Sequence, residues 1–216
     1  MIRPFGLNEL LTIILATRWT LLLSLIALLG GGLGGMGIAL VRTGTYRIAR
    51  NLASAFIVTF QGTPLLMQLF LVFFGASVLG FEINLWVAAA TGLTLHASAY
   101  LGNIWRGCIE AVPKGQWEAA KALGLGYRHM MTNIVLPQAV KIALPPTVGF
   151  LVQLIKMTSV TAIIGFVELT RTGQIIDNMT FKPFLVFSIV AGIYFILCWP
   201  LSFLSSRLER RYAAAT

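Results

Sequence analysis

Residues 19–41 read WTLLLSLIALLGGGLGGMGIALV, an unbroken run from Trp19 to Val41 with no charged side chain. A helix needs about 20 predominantly apolar residues to cross the hydrocarbon core of a bilayer, and this run supplies them. Four further stretches qualify: about Ala53 to Val78 and Leu85 to Trp105, both uncharged; Ile142 to Phe166, which carries only Lys156; and Phe184 to Leu204. Residues Phe5 to Thr17 are too short to span and are expected to lie along the interface as an amphipathic lead-in. The pattern predicts an all-α membrane protein of five transmembrane helices.

Composition agrees. Of 216 residues, 57% are hydrophobic and 11% charged, against about 25% charged in soluble domains, which excludes a water-soluble globule. The formal net charge is +9, yet the basic residues are scattered singly or in short groups between apolar runs rather than gathered on one polar face. That excludes a nucleic-acid partner and points to membrane topology. On one side of the alternating spans lie Arg42, Arg47, Arg50, Arg106, Lys114, Lys121, Arg128, Lys141, Arg207, Arg210 and Arg211; on the other only Arg3, Arg18, Arg171 and Lys182. The richer side is cytoplasmic, so the N-terminus is expected outside and the C-terminus inside. Residues 1–18 then form a periplasmic or interfacial segment, 19–206 the membrane domain and 207–216 a basic cytoplasmic tail. No A-x-A site follows the first apolar run, so no cleavable signal peptide is expected. Cys108 and Cys198 lie far apart at apolar helix positions, with neither a disulfide framework nor metal-ligand spacing.

Gly32, Gly34 and Gly37 satisfy a dinucleotide-binding G-x-G-x-x-G pattern, but inside an apolar helix with no preceding strand. Together with Gly30, Gly31 and Gly35 they are read as a close-packing surface for a neighbouring helix. No G-x-x-x-x-G-K-[ST] occurs, so no ATP site of that kind is expected in this chain.

The largest segment outside the spans, about residues 107–141, is more than a solvated connector. Pro113-Lys114-Gly115-Gln116 restarts the chain, Trp117 to Leu123 is strongly helix-prone, and Gly124 and Gly126 close that helix as C-cap glycines do. A second amphipathic stretch, Tyr127 to Val135, is expected to end at Pro137. A short helix in such a loop suits docking to a soluble partner.

Glu118-Ala119-Ala120, Gly124, Ile134 and Leu136-Pro137 together resemble the EAA loop of permease subunits of ATP-binding-cassette importers. Gly62-Thr63-Pro64-Leu65-Leu66 with Gln68-Leu69, Ala99-Tyr100, Arg106-Gly107, Leu136-Pro137-Gln138-Ala139, Thr158-Ser159 and Val167-Glu168-Leu169-Thr170-Arg171 narrow the resemblance to permeases for polar amino acids. The resemblance covers about Trp19 to Arg211. It implies a type I importer permease fold like the methionine and maltose importers, with Lys114, Gly115, Glu118, Ala119, Ala120 and Gly124 coupling to a cytoplasmic ATPase dimer. It further implies a periplasmic substrate-binding protein and a second permease subunit, a homologue being favoured over an identical copy. The setting implied is the lipid of a bacterial inner membrane. ATP and Mg would be held by the partner ATPase, with no cofactor and no catalytic residue in this chain.

Three carboxylates usual in the family are absent: Leu101-Gly102-Asn103 replaces Ala-Glu, Gly149-Phe150 replaces Asn-Glu, and Met157 replaces the Asp after Lys156. Intramembrane ionisable groups tend to mark a transport path. The partner permease could supply the acids, the substrate could be anionic or poorly cationic, or the acids could have been structural. Polar candidates for the path are Gln61, Thr63 and Pro64 at a break in the second span, His96 and Asn103 on the third, and Gln153, Lys156, Thr158 and Ser159 on the fourth. Helical spacing sets Gln153, Lys156 and Ser159 on one face, where the ammonium could meet a substrate carboxylate or serve structurally. A stand-alone secondary transporter or channel for a small polar solute is the alternative, and it would need a repeat or a proton relay. An intramembrane hydrolase built on Ser77 lacks a base at usable spacing.

Overall fold

The structure, a computed structural model, describes residues 4–213; Arg3, counted above on the outer side, and residues 214–216 of the basic tail lie outside the described residues. Among the described residues every regular element is helical. The first helix, α1 (Leu7–Thr43), is one continuous rod of 37 residues. The lead-in at Phe5 to Thr17 is therefore not a separate interfacial segment. No Pro or Gly interrupts Leu7 to Leu29, and Ile13 packs with Leu169, Ile176, Val186 and Val190, which draws the N-terminal turns into the bundle.

The second predicted span divides into α2 (Arg47–Gly62) and α3 (Leu65–Val78), bent by 104°. Pro64 lacks an amide N–H and drives the residue before it out of the helical region; Thr63 accordingly sits at φ −114, ψ 142. Next comes α4 (Leu85–Glu110), whose cap Asn84 accepts a hydrogen bond from Val87 N at 2.8 Å. Among the described residues, three helical segments are long and apolar enough to cross a membrane, Leu7–Thr43, Tyr127–Ile164 and Pro183–Tyr212, and a fourth if the bent α2–α3 pair is one span. The helix α4 falls outside that group although it has 26 residues. It is the core of the bundle, with Ala88, Ala89, Leu93, Ala97 and Leu101 wholly or nearly wholly buried. A helix enclosed by other helices takes small residues for close approach rather than bulky lipid-facing ones.

The loop drawn from 107 to 141 is shorter in the structure. After α4 ends at Glu110, α5 (Lys114–Ala122) stands alone, and a new helical body begins already at Tyr127. That body comprises α6 (Tyr127–Met130), a π-helical turn (Met131–Val135), α7 (Leu136–Met157) and a 3₁₀ turn (Thr158–Ile164). Pro137 does not close the amphipathic stretch, because it falls in the first turn of α7, where a missing N–H is tolerated. After Gly165, α8 (Leu169–Thr180) leads into α9 (Pro183–Ala213), which carries Arg207, Arg210 and Arg211 as part of the helix.

The tightest crossing joins α1 to α4. A Cβ built on Gly31 would collide with the Cβ of Ala97, and one on Gly34 with the Ser98 hydroxyl. On Gly35 it would lie 2.9 Å from Gly102 N and from Leu101 Cβ, and on Gly102, 2.7 Å from Ile38 Cγ2. The expected packing surface is thus present at Gly30, Gly31, Gly34 and Gly35. Gly37 lies outside it, with nothing within 4 Å, and Gly32 meets only Trp105 at 3.6 Å. Replacing Gly31 by Val is expected to separate the helices and lower the thermal midpoint of the detergent-solubilised protein. Gly37→Ala removes a helix-interior glycine in open space and should leave the midpoint unchanged or raise it, by about 0.5–1 kcal/mol of stability. A silent Gly31→Val would contradict the crossing.

Candidate translocation path and coupling helix

Breaking α2 from α3 releases backbone carbonyls in an environment without water, where each needs a protein donor. Gln68, in the first turns of α3, supplies it. Its amide nitrogen lies 2.8 Å from Phe60 O, 3.0 Å from Thr63 O and 3.0 Å from Thr63 Oγ1. The amide oxygen is left to accept, and it sits 3.0 Å from His96 Nδ1. With the donors of Gln68 committed to the break, Nδ1 carries the proton, and Nε2 of the neutral ring is a buried acceptor without a partner. The ring of His96 stacks on Tyr100 at 4.6 Å, and Tyr100 on Phe150 at 5.7 Å. Gln61 approaches the same helix, donating to Ala99 O at 3.5 Å, and Thr63 Oγ1 donates to Thr59 O at 2.7 Å.

Gln61, Thr63, Pro64 and His96 therefore form one locus, organised by Gln68, which the motif matches contained but which was not singled out. A buried glutamine four residues after a mid-span proline was the signal. Phe150, where the resemblance implies a carboxylate, continues the aromatic stack and is 3% exposed. Asn103, at another such position, is half-buried and accepts from Arg106 Nη2 at 3.2 Å, while Arg106 Nη1 pairs with Glu110 at 2.7 Å.

The fourth-span candidates do not join that locus. Lys156 lines a groove between α7 and α9 with Val152, Tyr194 and Cys198, and makes no ion pair among the described residues. Ser159 lies in the 3₁₀ turn and donates to Lys156 O at 2.6 Å, and buried Thr158 donates to Ile155 O at 2.7 Å. Gln153 is exposed on α7.

A second overlooked residue is Glu168. Fully buried at the N-cap of α8, its carboxylate accepts from Arg171 N at 2.8 Å, Thr170 N at 2.9 Å, Tyr194 Oη at 3.0 Å and Thr20 Oγ1 at 3.4 Å. It thereby ties α1, α8 and α9 together. Glu is not among the usual N-cap residues, so no helix-start signal in the sequence pointed to it.

The exposed helix α5 is held from one side only. Ala120 is buried, and with half-buried Trp117 it packs into a cluster of Ile109, Val112, Met130, Met131 and Val135. Lys114, Gly115, Glu118 and Ala119 remain exposed, and Glu118 makes no ion pair among the described residues. At its end, Gly124 adopts φ +70, a left-handed conformation that costs other L-residues about 1–2 kcal/mol. Leu125 N donates to Ala120 O at 3.1 Å and Gly124 N to Lys121 O at 2.9 Å, the paired bonds of a Schellman cap. The glycine spacing after Glu-Ala-Ala is thus a requirement of helix termination.

Residues 31–214 match the family described as binding-protein-dependent transport system inner membrane component. The chain belongs to this family, and within it to the permeases of amino-acid ABC transporters. It is 37% identical over 195 residues to the probable amino-acid ABC transporter permease protein YckA of Bacillus subtilis, covering 90% of this chain and 86% of that one. The putative glutamine transport system permease protein GlnP of Rickettsia felis is 35% identical over 94% of each chain. A chain in the crystal structure of an amino acid ABC transporter with histidines superposes with a TM-score of 0.87 at 36% identity, covering 93% and 94% of the two chains. The MetNI methionine ABC transporter, inward facing, shares the fold at a TM-score of 0.80 and 20% identity, covering 96% and 99%. In this family the chain is an inner-membrane component, and ATP hydrolysis resides in separate subunits.

Gln68→Leu keeps the volume but removes the donors at the break. It is expected to cost about 1–3 kcal/mol for each carbonyl left unpaired, read as a lower thermal midpoint, with uptake reduced. Gln68→Glu should fail likewise, since it keeps an acceptor for His96 but loses the donor; a stable, active Gln68→Glu protein would remove the stitching role.

Proposed function

We propose that this chain is one half of the translocation path of an ATP-driven importer for a polar amino acid or close analogue, linked to a cytoplasmic ATPase dimer through α5. Five spans are inferred, α4 and the bent α2–α3 pair counting as one each, with the N-terminus periplasmic and the C-terminus cytoplasmic. The single observation that carries the coupling role is the geometry of α5. One face is fixed to the ends of α4 and α6 through Ala120 and Trp117, while Gly115, Glu118 and Ala119 face outward. Such a helix can be gripped by a soluble partner and transmit that partner's movement to the α4 and α7 bodies on either side. ATP and Mg belong to that partner, and a periplasmic binding protein delivers the substrate.

The path on this side offers an imidazole, amides and a hydroxyl at the Gln61–Thr63–His96 locus, with Asn103 and Phe150 where acids stand elsewhere in the family. This half therefore favours a neutral or anionic amino acid. A homologous second permease bearing carboxylates would complete a site for other substrates. Glutamine transport is the function named for several relatives, and it is compatible with an acid-free half-site.

Glu118→Lys and Gly124→Val, in the chain co-expressed with its ATPase, are expected to insert normally. Substrate-stimulated ATP hydrolysis and uptake should both fall on the order of tenfold, within the usual range of a coupling free energy. Unchanged uptake in both variants would overturn the coupling assignment. Purification of this chain alone, under conditions that hold an ABC importer together, would favour an independent transporter.

A further inference from the structure

Two concavities on the flank of α1, α4 and α7 merge into one apolar groove. The larger, about 610 Å³, runs along Leu29 and Leu33; the smaller, about 250 Å³, along Val140, Ala143 and Leu144. Met36, Trp105 and Thr147 line both. The polar atoms there are already used, because Trp105 Nε1 donates to Thr147 Oγ1 at 2.8 Å and Thr147 Oγ1 to Ala143 O at 2.6 Å. Leu33 is 81% exposed, so the groove opens sideways to the surroundings of the bundle.

At its cytoplasmic end Ile109 forms the border with a third concavity of about 350 Å³ and opposite character, lined by Arg42, Arg50, Glu110 and Trp117. Its charges do not cancel. Among the described residues, Glu110 is taken up by Arg106, Arg42 Nε is buried without a partner, and Arg50 makes no ion pair. Along α1, Arg42 lies six residues beyond Met36, a rise of about 9 Å. A basic pocket therefore caps an apolar, laterally open groove.

We propose that this flank binds an anionic phospholipid, its phosphate between Arg42 and Arg50 and an acyl chain along Leu33, Met36 and Leu144. A guanidinium matches phosphate oxygens with paired donors, and basic pockets between helices on the cytoplasmic side suit acidic headgroups. An acidic protein segment would satisfy the arginines but leave the groove unfilled; a neutral lipid would fill the groove and leave Arg42 unpaired. One amphipathic anion answers both. Because Trp117 of α5 walls the head pocket, the bound lipid abuts the coupling helix. The inference rests on the proposed orientation only for the choice of the cytoplasmic leaflet.

The test is native mass spectrometry of the delipidated, intact importer complex, titrated separately with phosphatidylglycerol, phosphatidylethanolamine, diacylglycerol and glycerol phosphate. Phosphatidylglycerol should be retained over the other three. The paired substitution Arg42→Gln and Arg50→Gln should weaken its retention on the order of tenfold, from the loss of two basic contacts, while Arg47→Gln, outside the pocket, should not. Ala143→Phe, which fills the groove and spares the arginines, should reduce lipid retention independently. Equal retention of phosphatidylglycerol and phosphatidylethanolamine would overturn the proposal, as would undiminished phosphatidylglycerol in both the arginine and Ala143 variants. Loss of the ATPase from the arginine variants with lipid retention intact would instead assign the pocket to a protein contact. Failure of the coupling variants above leaves these binding results untouched, so the two readings are separable.

Discussion

The close approach of α1 to α4 sets the frame for everything else. In a bilayer no hydrophobic gain accompanies helix association, so contact must come from packing at short range. Gly31, Gly34 and Gly35 against Ala97, Ser98 and Gly102 bring the backbones together to a distance that side chains elsewhere would forbid. That crossing fixes the orientation of α4. Its opposite flank then receives α3, with Leu69 seated over Gly92, where an added Cβ would lie 2.7 Å from Leu69 Cδ2. The stack of His96, Tyr100 and Phe150 carries the same helix across to α7.

With α4 held, the interrupted span can be tolerated. A proline break within an apolar medium is costly only while its carbonyls lack donors. Gln68 supplies donors locally and simultaneously fastens the break to His96 on α4. The bend of α2 against α3 is thus anchored to the most enclosed helix of the bundle, not free to straighten. Glu168 plays a comparable part at the other end, where one buried carboxylate closes α8 and holds α1 and α9 to it.

Much of this was legible in the residues because its physics is local. Apolar runs marked the helical bodies, Pro64 marked the break, and Gly124 marked the end of α5, since each depends on a few consecutive residues. The readings that failed depended on partners distant in the chain. Residues 5–17 look too short and mixed to matter until Ile13 finds Leu169 and Val186. Pro137 looks like a terminus until the π turn before it accommodates the proline at the start of α7. Gln68 and Glu168 were visible as polar letters in motif matches; only tertiary contact reveals that each satisfies several groups at once.

The π turn at Met131–Val135 has a consequence for how the two ends of its helical rod are phased. A single residue inserted into an α-helix rotates everything beyond it by about 100°, and a π turn is the trace of such an insertion. Met131 and Val135 join the cluster beneath α5, and Phe150, further along the same rod, stacks on Tyr100. Every residue beyond the turn, Phe150 included, carries the offset relative to the residues before it. The turn acts as a fixed angular offset in a shaft, so that the end beside α5 and the end beside Tyr100 need not share a plane.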